Sequence, residues 1–153
     1  MKLFEIDAIV EIPHGSKYKY EVNKKTGKLF LDRPLPTPLP YNYGYVPGTL
    51  HGDGDPLDVC IIGLYPIQPL AEVNIQVLGA LLCNDNGASD DKLIAMVVGD
   101  NIDDNLKSSC IEDVSNYLSS YKAGFVVQRF VGPEEALEIV MKDMDAYQNE
   151  QDN

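Results

Sequence analysis

The sequence predicts a mainly β protein of the α+β kind, a small barrel of short strands with two C-terminal helices packed outside. Three observations predict it. The chain has 153 residues, 44% of them hydrophobic, enough for a single domain, 1–153, with one real core. Its first two-thirds alternate between short apolar or period-two runs and turns rich in glycine and proline. Helical periodicity enters only after Gly99. Closing the strands into a barrel removes exposed edges, although periodicity alone does not separate a barrel from a sandwich.

Each element follows in order. Ile6 to Ile12 is an apolar strand and Lys17 to Val22 alternates with period two. The turn NKKTG and the run KLFLD make this second strand half of a hairpin, with Gly27 supplying a positive φ. Pro34, Pro36, Pro38 and Pro40 oppose regular pairing and predict an ordered extended loop. Tyr41 to Val46 reads as a short aromatic strand, and Val59 to Leu64, Glu72 to Leu78 and Leu93 to Val98 as further strands. Asn84-Asp85-Asn86-Gly87 marks a turn between the last two. Asp103 to Lys122 is acidic at its start, carries Ile111, Val114, Leu118 and Tyr121 at helical spacing, and stops before Gly124. FVVQRFV, 125–131, is a strand. Pro133 then opens a second helix whose apolar face comprises Ala136, Leu137, Val140, Met141, Met144 and Tyr147, with NEQDN frayed at its end.

Composition excludes several functions. Twenty-four acidic against 12 basic residues give a formal charge of −12, the wrong sign for a nucleic-acid partner. No apolar run nears the roughly 18 residues of a membrane span. The opening MKLFEIDAIVEI reads as a strand, not as a leader peptide, so the expected location is the cytoplasm. Cys60, Cys83 and Cys110 are odd in number and widely spaced, which suits reduced thiols. With only His14 and His51 and no CxxC pair, a structural zinc site lacks ligands. Both histidines read as loop or interface residues, and Cys60 as packing.

Chemistry concentrates in DGDPLD, where Asp53, Asp55 and Asp58 crowd the mouth of an apolar run. Aspartates are common in turns, where they bond their own backbone. Three together beside a buried strand need a compensating positive charge. Gly54 lets the loop bend and Pro56 fixes φ, so that the carboxylates can converge on a hard divalent cation such as Mg²⁺ or Mn²⁺. The spacing does not fit an EF-hand. Asp85, Asp90 and Asp91 form a second acidic cluster followed by Lys92, readable as a solvated hairpin tip or as further ligands. Lys17, Lys19, Arg33, Lys92 and Lys122 lie near tyrosines or aspartates. Arg33, at the start of the proline loop, is suited to holding a phosphate bidentately or simply to pairing with Asp32.

EIPHGSKYKYEV, KLFLDR, YNYGYVPGTL, DGDPLDV, the spacing of Asp85, Asp90 and Lys92, and Tyr121-Lys122 occur in the order found in soluble inorganic pyrophosphatases of family I. The chain resembles that family closely from residue 5 to 98 and more loosely beyond. The resemblance implies an oligonucleotide-binding-like (OB-like) closed barrel enclosing a polar cavity. It implies hydrolysis of inorganic diphosphate to two phosphates by in-line attack of a metal-activated water, with Mg²⁺ as cofactor and Mn²⁺, Zn²⁺ or Co²⁺ as alternatives. Asp53, Asp58 and Asp90 match the ligands of the tightest ion, with Asp58 shared with a second. Asp55 matches the proton acceptor from the nucleophilic water. Asp85, with Asp90, matches the holder of a metal arriving with substrate, and Glu11 and Glu21 match carboxylates acting on metal-bound waters. Lys19, Arg33, Tyr43, Lys92, Tyr121 and Lys122 match the groups that grip phosphate oxygens. It also implies a homo-oligomer, a hexamer by preference.

The physical chemistry agrees. Two metals about 3.5–4 Å apart share and activate one water, while cations neutralise charge on the phosphates. Carboxylates recruit cations, and the cations recruit the anion. The chain departs from the family pattern at Leu39, where a tyrosine is usual, in a shorter 33–43 loop, in a shorter 99–120 region, and in lacking a lysine-rich approach to the last strand and any tryptophan. A catalytically weak phosphate- or metal-binding relative, and an enzyme for another phosphoanhydride, are the competing readings.

Overall fold

The computed structural model describes residues 4–152; Met1 to Leu3, and Asn153 of the tail expected to fray, lie outside the described residues. The strands are β1 (Glu5–Ile12), β2 (Tyr18–Val22), β3 (Leu29–Pro34), β4 (Asn42–Tyr45), β5 (Asp58–Ile61), β6 (Glu72–Asp85), β7 (Ala88–Ser89), β8 (Lys92–Val97) and β9 (Phe125–Val131), and the helices α1 (Asp104–Ser119) and α2 (Pro133–Gln151). Strands β1, β4, β5, β8 and β6 pair in that order, and β6 returns to β1, so five strands close a barrel. Closure decides against the sandwich. Among the described residues the one parallel pair is β5 with β8, while β9 extends the sheet from β6 and β2–β3 stand apart as a two-stranded hairpin.

Strand alternation sorts side chains to two sides of the wall. Val10, Val59, Ile61, Ile75, Val77, Leu93 and Ala95 meet in one apolar cluster drawn from opposite parts of the ring, which α2 joins through Ala136 and Val140. The alternate positions Cys60, Ile62, Leu81, Cys83, Ile94 and Met96 pack with Cys110, Val114 and Leu118 of α1 and with Leu39 and Tyr41. The barrel interior is therefore hydrocarbon. The expected polar cavity is not inside it but on its outer wall, where Asp58, Tyr43 and Lys92 share the parity of Cys60.

Several expectations shift. β6 continues past Leu78 to Asp85: a bulge at Leu78 bends it, and an extra residue on β9, Gln128, adjusts the register opposite Leu82 and Cys83, so that one long strand serves β1, β8 and β9 in turn. The turn after it has positive φ at both Asn86 and Gly87, as a two-residue hairpin requires, and Gly27 has φ +74° as expected. Pro34 is paired with Tyr18 rather than looped out; among the described residues β3 has no other strand neighbour, so its missing N–H is harmless. Helix α1 starts on an Asp103 cap, whose carboxylate accepts from Leu106 N at 2.8 Å, but stops at Ser119 and leaves Tyr121 and Lys122 in the following turn. On α2 the buried positions are Ala136, Val140 and Asp143. Met141, Met144 and Tyr147 of the expected face are exposed, because the apolar arc is wider than the contact with the sheet. The helix holds through Gln151, so residues 149–151 are not frayed. Among the described residues no helix is long and apolar enough to cross a membrane.

The backbones approach closely where β4 lies between β1 and β5. Gly44 faces Val10 on one side and Val59 on the other, and a Cβ added there would collide with the backbone carbonyl of Ile9. Gly44→Ala is expected to destabilise the fold by about 1–3 kcal/mol, the range for overpacked cores, and to displace the adjacent Tyr43. Denaturant unfolding measures the first effect.

Candidate active site

Two backbone devices bring the acidic residues together. In the 49–58 loop, Thr49 Oγ1 donates to Val46 O (2.6 Å) and accepts from Leu57 N (2.9 Å). His51 N donates to Asp55 O, Gly54 N to His51 O, and Asp55 N to Asp53 Oδ1 at 2.8, 3.0 and 3.0 Å. Gly54 has φ +89°, a value that suits glycine. The second device is the parallel register of β5 and β8, which sets Asp58 opposite Lys92. Asp90, two residues before Lys92, then reaches the same place. Ligand oxygens of Asp53, Asp58 and Asp90 lie within 4.8 Å of one another.

Lys92 balances this charge. Its buried Nζ donates to Asp58 Oδ2 at 2.7 Å, Asp90 Oδ1 at 3.1 Å and the Tyr43 hydroxyl at 2.9 Å. Burial works against the ammonium, yet Asp58 and Asp90 hold its pKa above the ordinary lysine range. Burial pushes the Asp53 carboxyl up to about 6, helped by Asp90 and Asp58, and raises Asp58 against the pull of Lys92. Burial likewise lifts the Tyr43 phenol well above its usual value. Three carboxylates held this close, two of them with raised pKa values, are hard oxygen donors short of positive charge. That donor set fits a divalent cation of the Mg²⁺ type.

A cavity of about 400 Å³ opens over this cluster. Of the residues singled out in the sequence, Glu11, Lys19, Glu21, Tyr43, Asp53, Asp55, Asp58, Asp85, Asp90, Lys92, Tyr121 and Lys122 line it. Arg33 does not, but its Nη2 donates to the Tyr121 hydroxyl at 3.0 Å at the rim. Glu11 sits at a bulge between Val10 and Ile12 that aims it outward. It accepts from Val22 N (2.9 Å) and Lys24 Nζ (3.1 Å), and burial raises its pKa. Lys19 and Arg33 face each other across the hairpin, with Lys19 3.3 Å from Asp32, so the alternative of an Arg33–Asp32 pair is only marginally met at 4.0 Å. Lys122 is 2.9 Å from Asp85.

Sequence reasoning missed two features. Lys24 lines the cavity, 4.5 Å from the Tyr45 ring centroid and paired with Glu11; its place in a hairpin turn gave no hint of that. His51 lies in the 49–58 loop, as expected, but its side chain is buried in a charge cluster. Its Nδ1 is 2.6 Å from Asp143 Oδ2 of α2, and its Nε2 is 3.0 Å from Asp91 N and 3.4 Å from Asp91 Oδ2. Burial opposes its charge, but Asp143 and Asp91 hold the imidazole up to about 10. His14 remains a loop residue, its backbone N donating to Asn42 Oδ1.

Leu39 is buried beside Tyr41. It lines a cavity of about 20 Å³ to which Lys19, Tyr43, Lys92, Tyr117 and Tyr121 also contribute.

The sequence model of the family described as inorganic pyrophosphatase matches residues 8–148. A soluble inorganic pyrophosphatase 2 of Chlamydomonas reinhardtii is 37% identical over 94% of this chain and 81% of its own length. An inorganic pyrophosphatase of Campylobacter jejuni is 34% identical over 94% and 92%. Among solved structures, the inorganic pyrophosphatase from Thermus thermophilus superposes with a TM-score of 0.86 at 31% identity, covering 95% of this chain and 92% of that one. Matched along nearly its whole length in both sequence and shape, the chain belongs to the inorganic pyrophosphatase family.

Proposed function

We propose that the protein is an inorganic diphosphatase, hydrolysing diphosphate and water to two phosphates, with Mg²⁺ as its working cation. The observation that carries this reading is the convergence of Asp53, Asp58 and Asp90 beside Lys92 on one wall of a cavity rimmed by cationic groups. Asp53, Asp58 and Asp90 would hold the tightest cation, Asp58 a second, and Asp85 with Asp90 one that enters with substrate. Bound there, divalent cations supply charge neutralisation and a lowered pKa for water. The chain does the rest. Asp55 takes the proton of the attacking water, and Glu11 and Glu21 orient waters across the floor of the cavity. Lys19, Arg33, Tyr43, Lys92, Tyr121 and Lys122 bind phosphate oxygens and stabilise the charge that moves to the leaving phosphate.

Purified protein with Mg²⁺ is expected to release phosphate from diphosphate, and removal of divalent ions with a chelator to abolish that release reversibly. Mn²⁺, Zn²⁺ and Co²⁺, tested in parallel, rank the ion preference. Absence of turnover with all four ions overturns the reading.

The same reading makes the protein a cytoplasmic, single-domain enzyme acting on a free small anion, without nucleic-acid or membrane partners. It also makes it a homo-oligomer, a hexamer by preference. Exposed Met141, Met144 and Tyr147 on α2, with Val126 and Phe130 on β9, support association of copies. Sedimentation equilibrium measures the subunit number.

A further inference from the structure

We propose that Tyr117 is a positioning residue of the phosphate-gripping wall, its buried hydroxyl supplying beside Leu39 the polar contact that a leucine at that position cannot make. This rests on the function proposed above. Tyr117 lies in the last turn of α1. Its ring meets Tyr41 edge-on, with centroids 5.9 Å apart at 89°, and lies 6.2 Å from Tyr121 at 34°. Tyr121 in turn receives the Arg33 guanidinium on its hydroxyl at 3.0 Å, with the guanidinium carbon 5.6 Å from its ring centroid. Tyr117 is therefore packed directly behind the pair that presents Arg33 to the cavity.

Its hydroxyl is buried and, among the described residues, has no protein partner. Packing does not need that oxygen, since a phenylalanine ring would make the same aromatic contacts. A buried polar atom without a partner weighs against folding and calls for another reason. The small cavity provides one. At about 20 Å³ it has room for one water, and its polar walls are Lys19, Tyr43, Lys92 and Tyr121, each a phosphate-binding candidate. Leu39 lines the rest of it together with Ile12, Leu35, Tyr41 and Leu118, and brings no polar group. Burial, then Tyr121, raise the Tyr117 pKa against the opposing effect of Arg33, so the phenol stays protonated and can donate. Through one water, or directly once phosphate draws the wall together, the hydroxyl fixes the Arg33–Tyr121 pair in its binding arrangement.

The test is Tyr117→Phe, which removes one oxygen and leaves the packing. The KM for diphosphate is expected to rise on the order of fivefold, the effect of one hydrogen bond, with kcat near the wild-type value. Calorimetric affinity for inorganic phosphate in Mg²⁺ should fall by a similar factor, while the unfolding temperature holds or rises. A merely structural tyrosine would give the opposite pattern, and unchanged KM and phosphate affinity overturn the inference. A wild type that binds phosphate but does not turn over diphosphate would sink the enzymatic reading, and the phosphate titration would still decide the role of Tyr117.

Discussion

Asp55→Asn is expected to lower phosphate release from diphosphate about a thousandfold, within the range for loss of a positioned general base. The loop explains why so small a change would act so selectively. Its hydrogen bonds use the backbone of Asp55, whose N donates to Asp53 Oδ1 and whose carbonyl accepts from His51 N. The carboxylate itself lines the cavity and is exposed. An amide of the same size keeps the turn, so Asp53, Asp58 and Asp90 stay where they are. What it cannot do is take a proton from water at neutral pH. The unfolding temperature and the affinity for Mn²⁺, followed by titration, should both be retained while kcat collapses. Activity within about tenfold of wild type would remove Asp55 from the role of proton acceptor. Asp58→Asn offers the contrast. It disturbs Lys92 and the cation cluster together, so both metal affinity and rate should fall.

What was legible in the sequence follows from how local each signal is. DGDPLD carries its own turn chemistry, and its crowded carboxylates call for a compensating positive charge whatever the fold. β1, β4, β5, β8 and β9 are set by patterns a few residues long and lie within a few residues of where those patterns place them. The course of β6 past Gly79 was not legible, because the bulges in its pairing answer to β8 and β9, far away in the chain. The position of the polar cavity was not legible either. Side-chain parity puts Asp58 and Lys92 on the outer wall only once the ring of five strands closes. His51 and Asp143 are 92 positions apart, and nothing near either one suggests a buried ion pair. Asp143 even interrupts what reads as the apolar face of α2. Lys24 was hidden for the same reason: the hairpin has to fold back on β1 before its turn meets Glu11.

His51→Ala is expected to destabilise the protein by about 3–5 kcal/mol, the cost of breaking a buried ion pair by removing one partner. That is a large share of the roughly 5–15 kcal/mol that holds a domain together, and should lower Tm by about 10 °C. The side chains of His51 and Asp143 are only 6% and 7% exposed, so solvent does little to screen the change. With the imidazole gone, Asp143 keeps a buried charge without its 2.6 Å partner, and the Asp91 carboxylate loses its 3.4 Å one. Three elements then come apart: α2, the 49–58 loop and the turn that carries Asp90. Replacing His51 and Asp143 together with leucine removes the stranded charge as well, so the double variant should be less destabilised than the sum of the single ones. The pH dependence has a definite sign. His51 is held up to about 10 in the folded state against 6.5 in the unfolded chain. Its stabilisation is therefore fully present below about pH 6.5 and disappears as pH rises through about 10. Asp91 is lowered in the fold although burial opposes this, chiefly because His51 bonds it, so its share is lost instead as pH falls into the carboxylate range. The stability gap between wild type and His51→Ala, measured by urea unfolding from pH 5 to 10, should be widest near pH 6 and shrink towards pH 10. A gap that stays constant across that range would mean that His51 holds these elements by packing and not by charge.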